Sequence, residues 1–224
     1  MKTVKNLLLL SLVFLGLVAC KQKTETSQAD NSVSGEAQEQ SEAGAELAQE
    51  TDTQEATSFE KTLSLQGITF HIKTTGEGSI RNLTIEPEGL SMGSKVEMET
   101  DGAVVNAEME DLNSDGSPEV LIYTTSAGSG GYGNVIGYSV NAGKSMSEIY
   151  FPEIAPDSDA AKGYMGHDEF TIIETTLVRR FPVYKEGDSN AEPTGNIRQI
   201  QYKMVDGEAS RKFVIDQVIE IPKN

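Results

Sequence analysis

The chain has a single cysteine, no tryptophan, and 18 basic residues against 35 acids. With Cys20 alone, the residues that follow can form no disulfide, zinc knuckle or thiol nucleophile, so a domain built from them must stand on its hydrophobic core. The shortage of positive charge, −17 over the whole chain, argues against nucleic acid and anionic lipid surfaces as partners. Few aromatic side chains are present to stack a sugar. Carbohydrate cleavage by a carboxylate pair among Asp168, Glu169 and Glu174 beside His167 is therefore unsupported. The longest apolar run, residues 7–18, is too short to span a bilayer.

That run is what is present at the start. Lys2 and Lys5 precede it, and Leu17-Val18-Ala19-Cys20 closes it with small residues before the cysteine, which predicts a signal peptide over residues 1–19. The ending resembles the lipobox of bacterial lipoproteins. The resemblance implies cleavage before Cys20, lipidation there and retention at the cell envelope through more than one acyl chain, on its periplasmic or cell-surface face. Residues 21–58 hold nine acids, two lysines and no aromatic residue. Such a segment buries too little to offset its ordering entropy, and 20–58 reads as the lipidated cysteine and an acidic tether. The remaining residues, 59–224, suit one domain. They carry 14 basic residues and 26 acids, a net −12, which either steers the chain to a basic protein partner or serves solubility alone.

Within 59–224 the pattern is strand and turn throughout. Leu63 and Leu65 alternate with polar residues before Gln66-Gly67, and Ile68, Phe70 and Ile72 alternate after it. Asp101-Gly102 lies between two further alternations and predicts a hairpin. Roughly ten short strands without a helical period predict an all-β fold, a single antiparallel sandwich or a flattened barrel. A homodimer is compatible with this reading.

Residues 111–133 are the chain's most informative stretch. An acidic turn, Asp111-Leu-Asn-Ser-Asp-Gly-Ser-Pro-Glu119, feeds an apolar strand over 119–125. A tip carrying four glycines, Gly128, Gly130, Gly131 and Gly133, follows and predicts a slim protruding loop. Asp111, Asn113, Asp115 and Glu119, with Gly116 at the turn, match the front half of a calcium loop, although Ile122 stands where an EF-hand needs glutamate. The alternatives are a calcium site, and with it a calcium-dependent surface module for polysaccharide or protein, or an Asx turn held by its own hydrogen bonds. Ser129 lies near a Gly-x-Ser-x-Gly pattern, but a strand rather than a helix follows it, against a hydrolase elbow.

Ser129-Gly-Gly-Tyr-Gly133, the acidic turn, residues 144–150, 162–170 and 177–182, and Pro193-Thr-Gly195 with Gln199-Ile-Gln-Tyr202, are collinear. Together they resemble the periplasmic inhibitors of invertebrate-type (I-type) lysozyme. The resemblance covers most of the chain from about Glu110 onward. It implies a non-enzymatic β protein with no required cofactor, whose partner is the lysozyme and whose Ser129, Gly130, Gly131 and Tyr132 enter the enzyme's cleft. Tyr164, His167, Arg179 and Arg180 lie in the other matching blocks, as further contacts or as braces for the loop. An Arg179-Arg180 pair alternates across a strand, so at least one of the two is expected on a structural acid.

Overall fold

The computed structural model describes residues 57–223. The signal peptide expected at 1–19, the lipidation expected at Cys20 and the tether expected as far as residue 56 fall outside the described residues. Among the described residues twelve strands run in order: β1 (Thr57–Leu65), β2 (Ile68–Thr75), β3 (Ile80–Glu88), β4 (Val96–Asp101), β5 (Ala103–Glu110), β6 (Glu119–Thr125), β7 (Gly133–Asn141), β8 (Ser145–Ile149), β9 (Glu169–Ile173), β10 (Thr176–Pro182), β11 (Ile197–Asp206) and β12 (Arg211–Ile221). Residues 57 and 58, read from the sequence as tether, already belong to β1.

The strands form three open four-stranded sheets, β1-β2-β3-β4, β5-β6-β7-β8 and β12-β11-β10-β9, every pairing antiparallel. The fold is all-β and sandwich-like, with no closed barrel. Local turn chemistry explains the meanders. Gln66 and Gly67 both take positive φ, the twist that a two-residue hairpin requires, and Ala142 and Gly143 take it in the three-residue turn between β7 and β8.

The middle sheet supplies both hydrophobic cores. Leu121, Tyr123 and Val135 pack with Leu177, Phe181, Ile200 and Tyr202 of the third sheet. Val120, Ile122, Tyr138 and Val140 pack with Phe70, Ile72, Leu83 and Ile85 of the first. Successive residues of a strand point to opposite faces, so β6 is buried on both sides and reads as an unbroken apolar run. Each such side chain withdrawn from water contributes roughly 1.5–3 kcal/mol, which makes β6 and β7 a rigid mount for the loop between them.

The hairpin expected at Asp101-Gly102 does not form. β4 pairs with β3, β5 pairs with β6, and the turn carries the chain from one sheet to the next. An Asp-Gly turn permits positive φ equally well in either role. Packing decides, because Gly102 (φ +88) lies against the Thr125 carbonyl at the end of β6, where any Cβ would collide, and its N–H donates to Ser79 O at 2.5 Å.

Candidate functional site

The β6–β7 loop, residues 126–132, is closed at its base by one residue. Ser126 N–H donates to Tyr132 O (2.9 Å), and Tyr132 N–H donates to Ser126 Oγ (3.0 Å). Within the loop Gly131 N–H donates to Gly128 O at 3.1 Å, and Gly131 takes φ +50. Ser129 is exposed, and Tyr132 is 50% exposed. Gly130 lies so close to the Tyr132 ring that a Cβ there would strike it, so this glycine lets the ring fold against the loop.

The loop is slim but not free-standing. His167 N–H donates to Gly130 O (2.6 Å), Asn190 Nδ2 donates to Ser129 O (2.7 Å), and Gly133 N–H donates to Asp168 Oδ2 (2.8 Å). His167 reaches this position at φ +58, and its ring stacks on Tyr184 at 6.3 Å. Tyr164 meets the Tyr132 ring edge-on at 5.7 Å.

Beneath the loop is a buried charged triad. Arg179 Nε donates to Asp168 Oδ1 at 2.7 Å, with the two side chains 5% and 0% exposed. Arg179 Nη2 donates to the Tyr164 hydroxyl (2.6 Å), which donates in turn to Asp168 Oδ2 (2.6 Å). Burial, and then the hydrogen bond to Asp168, push the Tyr164 hydroxyl well above its usual pKa, which keeps the proton it donates. Burial alone would lower the pKa of Arg179, but Asp168 more than reverses this and holds the guanidinium charged. The guanidinium also lies 5.0 Å from the Tyr164 ring centre and 5.4 Å from that of Phe170. Arg179 and Tyr164 are thus braces. Arg180 points away from them and donates to Gln199 Oε1 at 2.7 Å.

At the other end of β6, the acidic turn holds itself. Asp111 Oδ1 accepts from Asp115 N–H (3.0 Å), Asp111 Oδ2 from Gly116 N–H (2.9 Å), and Asp115 Oδ1 from Ser117 N–H (2.9 Å). Asn113 Nδ2 donates to Asp115 Oδ2 at 2.9 Å, and the Arg211 guanidinium pairs with that same oxygen. Glu119, its side chain 0% exposed, accepts from Leu112 N–H (2.9 Å), Ser139 Oγ (2.7 Å) and Arg211 Nη1 (3.2 Å). Burial pushes the Glu119 carboxyl up despite these partners. For Asp115 burial acts the same way, but Asn113, the Ser117 N–H and Arg211 outweigh it and hold the carboxyl low. Arg211, at the start of β12, is the cation facing these carboxylates. Among the described residues no group of three or more His, Cys, Asp or Glu side chains is arranged to hold a metal.

Residues 91–165 match the family model for the periplasmic lysozyme inhibitor of I-type lysozyme. No curated protein and no solved structure matches the chain. The inhibitor-family segment begins ahead of the resemblance drawn from Glu110 onward and ends sooner. It contains the acidic turn, all of β6 and β7, the whole 126–132 loop and Tyr164. His167, Asp168, Arg179 and Arg180 lie beyond it.

The structure therefore brings Ser129, Gly130, Gly131 and Tyr132 together with Tyr164, His167 and Arg179, and separates Arg180 from them. Two braces were missed as such in the sequence. Asp168 stood out only as one acid among many, and the only hint of its role is its place in the block 162–170. Asn190 lies in a polar loop where nothing marks it. Arg211 was missed as well, and its long-range pairing with residue 115 has no local signature.

Proposed function

We propose that the chain inhibits I-type lysozyme by setting the 126–132 loop into the enzyme's substrate cleft. The family match supports the coarser reading, a periplasmic lysozyme inhibitor that is a binding protein rather than an enzyme. The observation that carries the finer one is the loop itself, closed by Ser126, braced through Gly130 O and Ser129 O, and presenting Ser129 and a half-exposed Tyr132. A lysozyme cleft holds the carboxylates that cleave a glycosidic bond, and hydroxyl donors on a narrow backbone suit it. A hydrogen bond to a charged acceptor contributes roughly 1.5–3 kcal/mol. Bracing the loop beforehand removes ordering cost from association. The net negative charge steers the chain toward a basic enzyme surface, and lipidated Cys20 would hold it at the envelope where such an enzyme arrives.

The test is inhibition of an I-type lysozyme by the full chain. Ser129→Ala and Tyr132→Ala are each expected to weaken inhibition tenfold or more, about 1.4 kcal/mol or above. Inhibition is expected to be unchanged by a calcium chelator, since Arg211 and backbone N–H groups already engage the acidic turn. Loss of binding on chelation would favour a calcium-dependent surface module instead. Variants as potent as the wild type would refute the loop as the working part.

A further inference from the structure

Beside the loop lies an open cleft of about 680 Å³, with Tyr132 on its rim. It opens where two sheets present edges. β4 is the last strand of its sheet, and β8 pairs with β7 only over 137–141, so that residues 133–136, directly after the tip, have β6 on one side and, among the described residues, no strand on the other. Four carboxylates line it from three elements: Glu99 and Asp101 on β4, Glu148 on β8, and Glu153 in the loop that follows. All four are exposed, and among the described residues none is ion-paired to a basic side chain. The single cation in the lining, Arg179, is held by Asp168. Tyr150, 61% exposed, adds a second exposed aromatic side chain to the lining.

We propose that this cleft is a second docking site for the protein that takes the tip, and that its occupant is an arginine- or lysine-bearing segment beside that partner's substrate groove. The proposal rests on the lysozyme reading above and deepens it. Three features select the occupant. Unpaired carboxylates on three walls attract a cation of matching reach. Exposed tyrosine faces accept a guanidinium or ammonium by cation–π contact. The cleft is continuous with the tip, so a partner seated on Tyr132 places its neighbouring surface here without further rearrangement, and the two contacts reinforce each other. Specificity follows as well, because an enzyme with acidic residues at the rim of its groove would be repelled by these walls.

The experiment compares two full-length variants that lose equal charge. One carries Glu99→Gln, Asp101→Asn, Glu148→Gln and Glu153→Gln. The control carries Glu60→Gln, Glu77→Gln, Glu86→Gln and Glu208→Gln, four exposed acids outside the cleft. Binding to an I-type lysozyme is measured by surface plasmon resonance at increasing salt, after circular dichroism has matched both folds to the wild type. The cleft variant is expected to bind tenfold or more weakly and to lose most of its salt dependence, with the control within threefold of wild type. Equal weakening of both variants would reduce the effect to net charge and overturn the proposal. An unchanged cleft variant, with Tyr132→Ala still impaired, would overturn it while leaving the loop reading intact. Should the wild type bind no I-type lysozyme, the loop reading fails, and calorimetric titration with a hexa-arginine peptide decides the cleft. Heat lost in the cleft variant and kept in the control upholds a basic-segment site; no heat, or equal heat in all three, overturns it.

Discussion

Asp168→Ala is expected to lower the free energy of unfolding by about 3–5 kcal/mol, the cost of leaving one partner of a buried ion pair without the other. Three groups lose their acceptor at once. Arg179, 5% exposed, keeps its charge with no carboxylate at 2.7 Å, the Tyr164 hydroxyl loses the oxygen it donates to, and Gly133 N–H at the foot of the loop is left unpaired. Arg179 cannot escape by shedding its proton, since guanidinium stays protonated throughout the accessible pH range. Asp168→Asn, which keeps an acceptor but not the charge, is expected to fall between wild type and Asp168→Ala. Denaturant unfolding of the full chain measures all three. A loss below about 1 kcal/mol, the scale of an exposed ion pair, would contradict a buried brace.

Gly166→Ala acts on the same brace without altering any residue of the triad or the tip. Gly166 has φ +90, and a Cβ there would run into the carbonyl of Gly130, with the Tyr132 ring 3.3 Å away. Both sides of that contact are backbone, joined by His167 N–H donating to Gly130 O at 2.6 Å, so neither can rotate aside. Positive φ costs alanine about 1–2 kcal/mol, and a methyl group forced into packed surroundings about 1–3 kcal/mol more. The chain is expected to relieve this by displacing the loop. Inhibition should then fall tenfold or more with Ser129 and Tyr132 chemically intact. Full inhibition by a folded Gly166→Ala chain would mean that the braced shape of the loop is irrelevant to binding.

These two predictions also mark what the sequence could and could not say. Strands with strict alternation and a positive-φ turn were legible, as at Gln66-Gly67, because their determinants are local. So was β6, whose continuous apolar character reflects burial on both faces. The number of sheets was not legible. A switch of sheet at Asp101-Gly102 and a hairpin there use the same residues, and only the contact of Gly102 with Thr125 separates them. The tip residues stood out because glycines flanking a serine and a tyrosine are unusual in composition. Their support was legible only in part: Tyr164, His167 and Arg179 lie in the matching blocks, whereas nothing local marks Asp168 and Asn190, which meet the loop only in the folded chain. Arg211 likewise meets Asp115 and Glu119 from the far end of the sequence, and nothing local announces that pairing.

Inhibition by cleft occlusion requires the 126–132 loop to sit inside the enzyme's groove when the partner is bound. A crystal structure of the full chain with an I-type lysozyme measures this directly. The expected result is the loop inside the substrate cleft, with the Ser129 or Tyr132 hydroxyl within hydrogen-bonding distance of a catalytic carboxylate. A complex in which the enzyme's cleft is open to solvent and Tyr132 touches nothing would contradict it.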